Sequence, residues 1–300
     1  MAAIVDYVRK TFTEGDQKRD EGLTTPPDII RYDDIRYGDD EKWQCLDVYR
    51  PAKEEGKKLP VIVNVHGGGW VYGDKERYQY YCMSLAQRGF VVVNFTYRLA
   101  PETKFPGQLE DVNLVFRWVL EHTEEYGMDK DFIFGTGDSA GANLLGLYTA
   151  ACTNPAYAAK YEFKIPQGFI PKALALNCGP YRIEMNDPED LTQKLLRELL
   201  PEGGTDEEAE LISVALYVTE DFPPTYLMTA IDDFVRPQSY IMAEKLKECK
   251  VPHVFKVYGS EGNRLRHVFH CNMKMKDAHI CNDEECSFFM EIYNRKREKI

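Results

Sequence analysis

Short apolar runs bounded by turn-forming residues recur along the chain, and several of them carry apolar side chains on both faces of an extended segment. Seven runs predict strands, namely QCLDVYRP, LPVIVNVHGGG, GFVVVNFTYR, DFIFGTG, PKALALNCG, PPTYLMTAID and PHVFKVYG. A strand that is apolar on both faces must be covered by other elements on both sides, and this is typical of strands in parallel sheets.

Between most of these runs, apolar residues recur at the spacing of a helix. This pattern predicts helices over residues 77–88, 107–126, 140–152, 237–249 and 284–298. Alternating strands and helices indicate an α/β fold with a mostly parallel central sheet flanked by helices. No internal repeat or linker interrupts the sequence, so we expect one domain over residues 1–300.

Two segments lie outside this alternation. Residues 1–30 present an apolar helical face that includes Val5 and Val8, and residues 183–217 form a helical pattern interrupted by Pro201. Ligands of parallel sheets bind at the carboxyl ends of the strands, where such segments often form a lid. We expect a helical cap here, and peripheral packing helices are the alternative.

The composition is that of an ordinary globular protein. The 300 residues are 44% hydrophobic and 29% charged, and the net charge of −12 argues against nucleic acid or an anionic membrane as the main partner. No apolar run approaches the roughly 20 residues that span a bilayer, and no signal peptide is visible. The eight cysteines are scattered. We therefore expect a cytoplasmic protein with reduced thiols.

The stretch DFIFGTGDSAGANLLGLYTA contains the first candidate for chemistry. Ser139 lies between Gly137 and Gly141, after a short apolar strand and before an apolar helix. In a nucleophile elbow, this sharp turn lifts the serine hydroxyl above the sheet, and neighbouring glycines avoid steric collisions. The alternative is a plain turn, in which serine and glycine are also common.

A reacting serine needs donors for the oxyanion that it creates, and the segment HGGGW can provide them directly after a strand. Consecutive glycines allow backbone amides to turn toward a small anion. We expect the donors to be the amides of Gly68, Gly69 and Ala140. The residues expected to support the site are His66, Trp70, Gly137, Asp138 and Gly141.

The serine also needs a base and an acid that orients it. His267 follows the last predicted strand, which favours it as the base, and His270 is its close rival. Asp233 and Asp232 end the preceding strand, and one of them is free to cap the next helix instead. The order serine, aspartate, histidine is the chain order of the α/β-hydrolases.

Together the motifs HGGGW, YRLAPETKFP, GDSAGAN, AIDDFVRP and HVFH identify a family resemblance over residues 44–270. The sequence resembles the hormone-sensitive-lipase-like branch of the α/β-hydrolases, especially its bacterial acetyl esterases. This resemblance implies a serine carboxylesterase acting on short acyl esters without a metal or cofactor. It implies a small-molecule ester as partner and a monomer or homodimer.

Matched motif by motif, Ser139 corresponds to the nucleophile of that family and His267 to its base. The acid of the family aligns with Asp233 when Ala230 and Arg236 are matched. The resemblance also assigns the oxyanion donors to Gly68, Gly69 and Ala140, and treats Tyr97, Arg98 and Glu102 as scaffold.

The sequence departs from the family pattern at four positions near these motifs. Ile231 replaces the usual glycine and Phe234 the usual proline, which keeps Asp232 open as the acid. Ala142 stands where a second glycine is common. Arg266 before the histidine is unusual. We interpret it as a surface residue, and contact with an anionic part of the substrate is the alternative.

Three other functions remain open from the sequence. An amidase or arylformamidase, or a deacetylase of acetylated sugars, would use the same three residues with a different pocket. A ligand-binding protein on a hydrolase fold typically lacks the histidine. A metal site would draw on the C-terminal residues His270, Cys271, His279, Cys281 and Cys286, whose spacing matches no standard zinc pattern.

Overall fold

A computed structural model describes residues 2–297, and a single mostly parallel sheet forms its centre. Strands β1 to β8 are, in chain order, Ile29–Arg36, Cys45–Pro51, Leu59–Val65, Val91–Phe95, Met128–Asp138, Leu174–Asn177, Thr225–Ala230 and His253–Tyr258. Their order across the sheet is β1-β2-β4-β3-β5-β6-β7-β8. The β1–β2 and β2–β4 pairs are antiparallel and the other pairs are parallel. The predicted α/β fold class is confirmed.

Helices connect most of these strands and flank the sheet. Helices α1 to α9 are Ala2–Asp20, Lys75–Gln87, Gly107–Glu121, Ala140–Thr153, Pro155–Ala158, Leu191–Leu199, Asp206–Leu211, Arg236–Glu248 and Lys276–Arg297. None of the helices within residues 2–297 has a stretch long and apolar enough to cross a membrane.

The predicted strands are all present, but the sequence analysis missed β1. We expected helix over residues 1–30, whereas α1 ends at Asp20 and the chain enters a strand at Ile29. This strand lies at the edge of the sheet, and most of its side chains are exposed or half-buried. Because most of these side chains are exposed or half-buried, the sequence of β1 lacks the apolar pattern that identifies the other strands.

Two helix boundaries also differ from the predictions. The last helix begins at Lys276 rather than at residue 284, and the predicted end at residue 298 lies outside the described residues. The first turns of this helix are largely polar, so they lack the apolar spacing from which the rest of the helix was predicted. The helix predicted over 107–126 ends at Glu121, because the chain turns there toward β5.

The core occupies both faces of the sheet, as the strand sequences require. On β3, Val61 and Val63 belong to the hydrophobic cluster that includes Phe116 of α3. The intervening Ile62 belongs to the opposite cluster, together with Phe289 of α9. Successive strand residues point to opposite faces, so a strand covered on both sides is apolar throughout.

The parallel pairing determines where the candidate residues meet. Strands β3, β5, β7 and β8 run in one direction and therefore end at the same edge of the sheet. The segments after these four ends carry, respectively, the glycine triplet, Ser139, Asp233 and His267. Residues that lie up to 200 positions apart on the chain are brought to one edge by the topology.

Candidate active site

The turn between β5 and α4 holds Ser139 in a strained backbone conformation, with φ 51° and ψ −120°. Such values are uncommon for residues other than glycine, and they are characteristic of functional sites. A Cβ atom on Gly141 would lie 2.0 Å from the carbonyl oxygen of Val65, and one on Gly137 would lie 2.8 Å from that of Gly141. Both flanking positions therefore require glycine.

The Ser139 hydroxyl begins a chain of hydrogen bonds across the strand ends. The distance from Ser139 Oγ to His267 Nε2 is 3.0 Å, and His267 Nδ1 lies 2.7 Å from Asp233 Oδ1. The carboxyl of Asp233 is buried and accepts two further bonds, from the Thr229 hydroxyl at 2.8 Å and the Val235 amide at 3.1 Å. These bonds fix the orientation of the imidazole toward the serine.

The surroundings of Asp233 favour its ionised form. Burial alone would raise its pKa, but the hydrogen bond and charge of His267 outweigh burial and hold the pKa of Asp233 below its ordinary value. The hydrogen bond from Thr229 acts in the same direction. A carboxylate at this position can stabilise a positive charge on the His267 ring.

The two alternative residues lie in different surroundings. Asp232 accepts a 2.6 Å bond from Arg264, and Arg266 is exposed beside it. His270 is fully buried, with its ring centroid 5.2 Å from that of Tyr81, and burial lowers its pKa to about 3. Of the two acids and two histidines left open by the sequence, Asp233 and His267 form the chain to Ser139.

The glycine triplet forms a tight loop beside the serine. Gly68, Gly69 and Trp70 have φ values of 115°, 60° and 61°, so three successive residues adopt the left-handed region. A Cβ atom on Gly68 would lie 2.1 Å from the carbonyl oxygen of Tyr72, which excludes any side chain there. Among the residues that the structure describes, the amides of Gly68, Gly69 and Ala140 donate no hydrogen bond to the protein.

Two buried side chains connect this loop to the serine turn and to the sheet. Asp138 accepts bonds from the Gly67 amide at 3.2 Å and the Tyr78 hydroxyl at 2.9 Å. Burial raises the pKa of Asp138 to about 6. His66 stacks on Tyr97 at 4.1 Å, and burial lowers its pKa to about 4, so the ring is neutral and donates to the carbonyl of Gly67 at 2.7 Å.

A cavity of about 420 Å³ opens above Ser139 and His267. Its walls include residues from both segments that were expected to form a cap. Helix α1 contributes Phe12 and Asp16, and α6 contributes Leu195. Leu195 approaches the loop so closely that a Cβ atom on Gly69 would lie 2.6 Å from its Cδ1 atom.

The anchoring of α1 to this loop was not foreseen from the sequence. Arg9 Nε donates to the carbonyl of Val71 at 2.8 Å, and its guanidinium forms a two-bond ion pair with Glu102 at 2.7 and 2.6 Å. The Tyr72 hydroxyl donates to Asp16 at 2.9 Å. These partners lie more than 50 positions apart on the chain, so no local motif reveals them.

Side chains that could bind a metal occur close together at two places in the described residues. Atoms within 4.8 Å of one another come from Asp138, His270 and Cys271, and from Cys178, Asp233 and His267. Of the five C-terminal residues considered from the sequence, only His270 and Cys271 fall in either group. Asp138, Asp233 and His267 already have the hydrogen-bond partners described above, and we assign no metal to these groups.

Comparison with known proteins adds an independent line of information. The chain matches the BD-FAE family over residues 46–246, a region that includes the loop, Ser139 and Asp233. It belongs to the BD-FAE family. The resemblance to the hormone-sensitive-lipase-like branch of the α/β-hydrolases is thereby confirmed. His267 lies outside the matched region, and its place in the site rests on the sequence motif and on its hydrogen bonds to Ser139 and Asp233.

Curated relatives of this BD-FAE member carry esterase names. Esterase LipQ of Mycobacterium tuberculosis is 33% identical over 180 residues, which are 54% of this chain and 43% of that protein. The versiconal hemiacetal acetate esterase of Dothistroma septosporum is 29% identical over 222 residues, covering 68% of this chain and 66% of that protein. The chain thus spans less than two thirds of the length of these relatives.

Solved structures share the fold over nearly the whole chain. Esterase B of Lactobacillus rhamnosis, inhibited by a tributyrin phosphonate, aligns with a TM-score of 0.89 at 25% identity and covers 100% of this chain and 98% of that one. The hyperthermophilic esterase of Pyrobaculum calidifontis aligns with a TM-score of 0.77 at 24% identity and covers 96% and 94%. The α/β-hydrolase fold is confirmed by these alignments.

Proposed function

We propose that this protein is a carboxylic ester hydrolase that cleaves short acyl esters through an acyl-enzyme on Ser139. The observation that carries the proposal is the pair of hydrogen bonds from Ser139 to His267 at 3.0 Å and from His267 to Asp233 at 2.7 Å. A serine becomes an effective nucleophile when an oriented base lies within hydrogen-bond reach.

In the first half of the reaction, Ser139 Oγ attacks the ester carbonyl carbon while His267 Nε2 takes the hydroxyl proton. Asp233 holds Nδ1–H and stabilises the imidazolium that forms. The bond from the carbonyl carbon to the leaving oxygen then breaks, and His267 gives its proton to that oxygen. Water attacks the acyl-enzyme by the same route and releases the acid and free Ser139.

Negative charge on the carbonyl oxygen requires donors during both attacks. The amides of Gly68, Gly69 and Ala140 are the candidates, because they have no protein acceptor among the described residues. Gly68 and Gly69 line the same cavity as Ser139, and Ala140 follows Ser139 directly. The N-terminus of α4 adds the favourable end of a helix dipole at the same place. One such donor contributes roughly 3 kcal/mol to the stabilisation of the transition state.

The proposal of short acyl esters draws on the relatives and on the cavity. One relative is named for an acetate ester, and a solved relative is inhibited by a tributyrin phosphonate, which has butyryl-length chains. We propose that residues 1–30 and 183–217 form the cap that limits chain length. Both segments border the 420 Å³ cavity, through α1 and α6.

Hydrolysis of p-nitrophenyl acetate, butyrate, octanoate and laurate by the wild type and by Ser139→Ala tests the proposal. We expect turnover that falls with acyl length, and at least a thousandfold loss of kcat in Ser139→Ala because the nucleophile is absent. Ser287→Ala, an exposed serine on α9, serves as the matched control and should retain wild-type rates.

Two results would contradict the proposal. Unchanged turnover in Ser139→Ala would remove the nucleophile assignment. Cleavage of p-nitroacetanilide with no cleavage of any ester would replace the esterase by an amidase that uses the same three residues.

A further inference from the structure

A second cavity of about 210 Å³ adjoins the candidate active site. The two cavities share four lining residues, Pro180, Thr192, Phe234 and Val235. The exposed ring of Phe234 marks the junction, and its centroid lies 4.5 Å from that of His267. A molecule bound at Ser139 can therefore extend past Phe234 into the second cavity without leaving the protein surface.

The second cavity is lined by polar side chains with unused hydrogen-bonding capacity. The guanidinium of Arg182 has no hydrogen bond and no ion pair with any residue that the structure describes. Gln238 accepts from the Arg182 amide at 2.8 Å through Oε1, and its Nε2 group donates to no described residue. The hydroxyl of Thr192 is likewise unbonded within the described chain.

Acceptors lie in the same wall as these donors. Glu184 bonds Asn186 through one carboxylate oxygen, and Asp190 caps α6 by accepting from the Gln193 amide at 2.9 Å. Both carboxylates line the second cavity together with Arg182. This mixture of one cation, two anions and amides disfavours a strongly charged ligand, and it suits hydroxyl groups, since each hydroxyl both donates and accepts.

The junction of the two cavities beside His267 indicates which part of an ester would reach the second one. In acyl transfer, the leaving oxygen must lie within reach of His267 Nε2, which returns the proton to it. Phe234 packs beside that ring and borders both cavities. The leaving alcohol is the part of the ester that passes His267, so the second cavity lies on its path.

We propose that the second cavity is a subsite for a polyol leaving group, with Arg182 as its principal donor and the ring of Phe234 packing against the carbon–hydrogen face of the polyol. This inference rests on the proposed esterase function and names the alcohol that it favours. Arg182 determines specificity and takes no part in the chemical step.

The test compares acetate esters that differ only in the alcohol. The substrates are ethyl acetate, glycerol monoacetate and a monoacetylated hexose, each followed by release of acetate. In the wild type we expect kcat/KM for a polyol acetate to exceed that for ethyl acetate by about tenfold, the lower end of the range for one hydrogen bond to a charged group. A greater gain with the hexose than with glycerol identifies a sugar, and the reverse identifies a glyceride.

Three variants assign the effect to the subsite. Arg182→Met should remove the tenfold preference through a higher KM for the polyol acetate, while kcat/KM for ethyl acetate stays within about twofold. Arg182→Lys, which keeps a charged donor, should retain part of the preference. Arg117→Met, an exposed arginine of α3 without a hydrogen bond in the described chain, is the matched control and should behave as the wild type.

The outcomes separate this inference from the proposed function. A wild type that cleaves ethyl acetate and p-nitrophenyl acetate without preference for polyol acetates overturns the subsite alone. Equal losses in Arg182→Met for all three acetates also overturn it, because they indicate a structural role. A wild type that cleaves no ester overturns the esterase proposal and the subsite together.

Discussion

The two halves of the candidate active site are built in different ways. Ser139, His267 and Asp233 follow the ends of parallel strands, and backbone pairing within the sheet brings them together. The loop at Gly68 and Gly69 also follows a strand end, that of β3, but it is held in addition from outside the sheet, by Leu195 of α6 and by the side chains of α1. The first half depends on sheet topology, whereas the second depends also on a few long-range side-chain contacts.

This difference has a consequence for the effects of mutation. The contacts around Asp233 are buried hydrogen bonds, whereas the ion pair of Arg9 with Glu102 is partly exposed to solvent. Buried hydrogen bonds to charged groups are worth more than exposed ion pairs. We therefore expect a large loss of kcat from substitutions in the first half of the site and a smaller loss of kcat from substitutions in the second half.

The largest effect is expected from Asp233→Asn. The amide leaves the shape of the site intact but cannot hold the His267 tautomer that accepts the serine proton, so kcat should fall by about 10⁴-fold. Steady-state kinetics with p-nitrophenyl acetate measure this. Asp232→Asn is the adjacent control and should stay within about twofold, because Asp232 bonds Arg264 rather than the histidine. Equal losses in both variants would contradict the assignment of the acid.

A pH-dependent effect is expected from Glu285→Gln, behind the serine turn. Glu285 is fully buried and accepts bonds from Thr136 of β5 and Asn177 of β6, each at 2.9 Å. Burial is the main cause that raises its pKa to about 7, against an ordinary value of 4.5. The folded state therefore favours the protonated form of this carboxyl.

A carboxyl whose pKa is raised by folding stabilises the fold below its unfolded pKa, and this contribution is lost as the pH rises through the folded pKa. From about pH 5 to about pH 8 the free energy of unfolding of the wild type should fall by up to about 3 kcal/mol relative to Glu285→Gln. Urea unfolding at both pH values measures the difference. Glu291→Gln, exposed on the same helix, should track the wild type, and a parallel pH response of wild type and Glu285→Gln would refute the expectation.

The smallest effect is expected from Arg9→Met, which tests the second half of the site. Loss of the bonds from Arg9 to Val71 and Ala100 should let the loop shift, and kcat for p-nitrophenyl acetate should fall by about tenfold with KM within about twofold. Arg36→Met removes a comparable exposed ion pair, with Glu41, away from the site. Because that pair does not contact the loop, the kinetics of Arg36→Met should match those of the wild type.

If the kcat of Arg9→Met equals that of the wild type while its melting temperature is lower, α1 supports only the fold. In that case the contrast between the two halves of the site would not extend to catalysis.

Much of the central sheet could be predicted from the sequence, because buried parallel strands are apolar on both faces. The runs that contain Val61 on β3 and Phe134 on β5 carry that signal strongly. The edge strand that begins at Ile29 does not, since few of its side chains are buried. The glycines at 137 and 141 also have a local cause, because a Cβ atom at either position would lie only 2.0 to 2.8 Å from a backbone carbonyl oxygen. The roles of Ser139 and His267 in catalysis stay predictions that rest on these patterns.

Other features were decided only by the tertiary structure. The sequence left Asp232 and Asp233 as alternatives, and the position of Asp233 against His267 follows from the way the chain turns after β7. The anchoring of the loop by Arg9, and the unpaired Arg182 in the second cavity, depend on contacts between segments far apart on the chain. Periodicity and local motifs report burial and backbone geometry, whereas the partner of an individual polar side chain is determined when distant segments pack together.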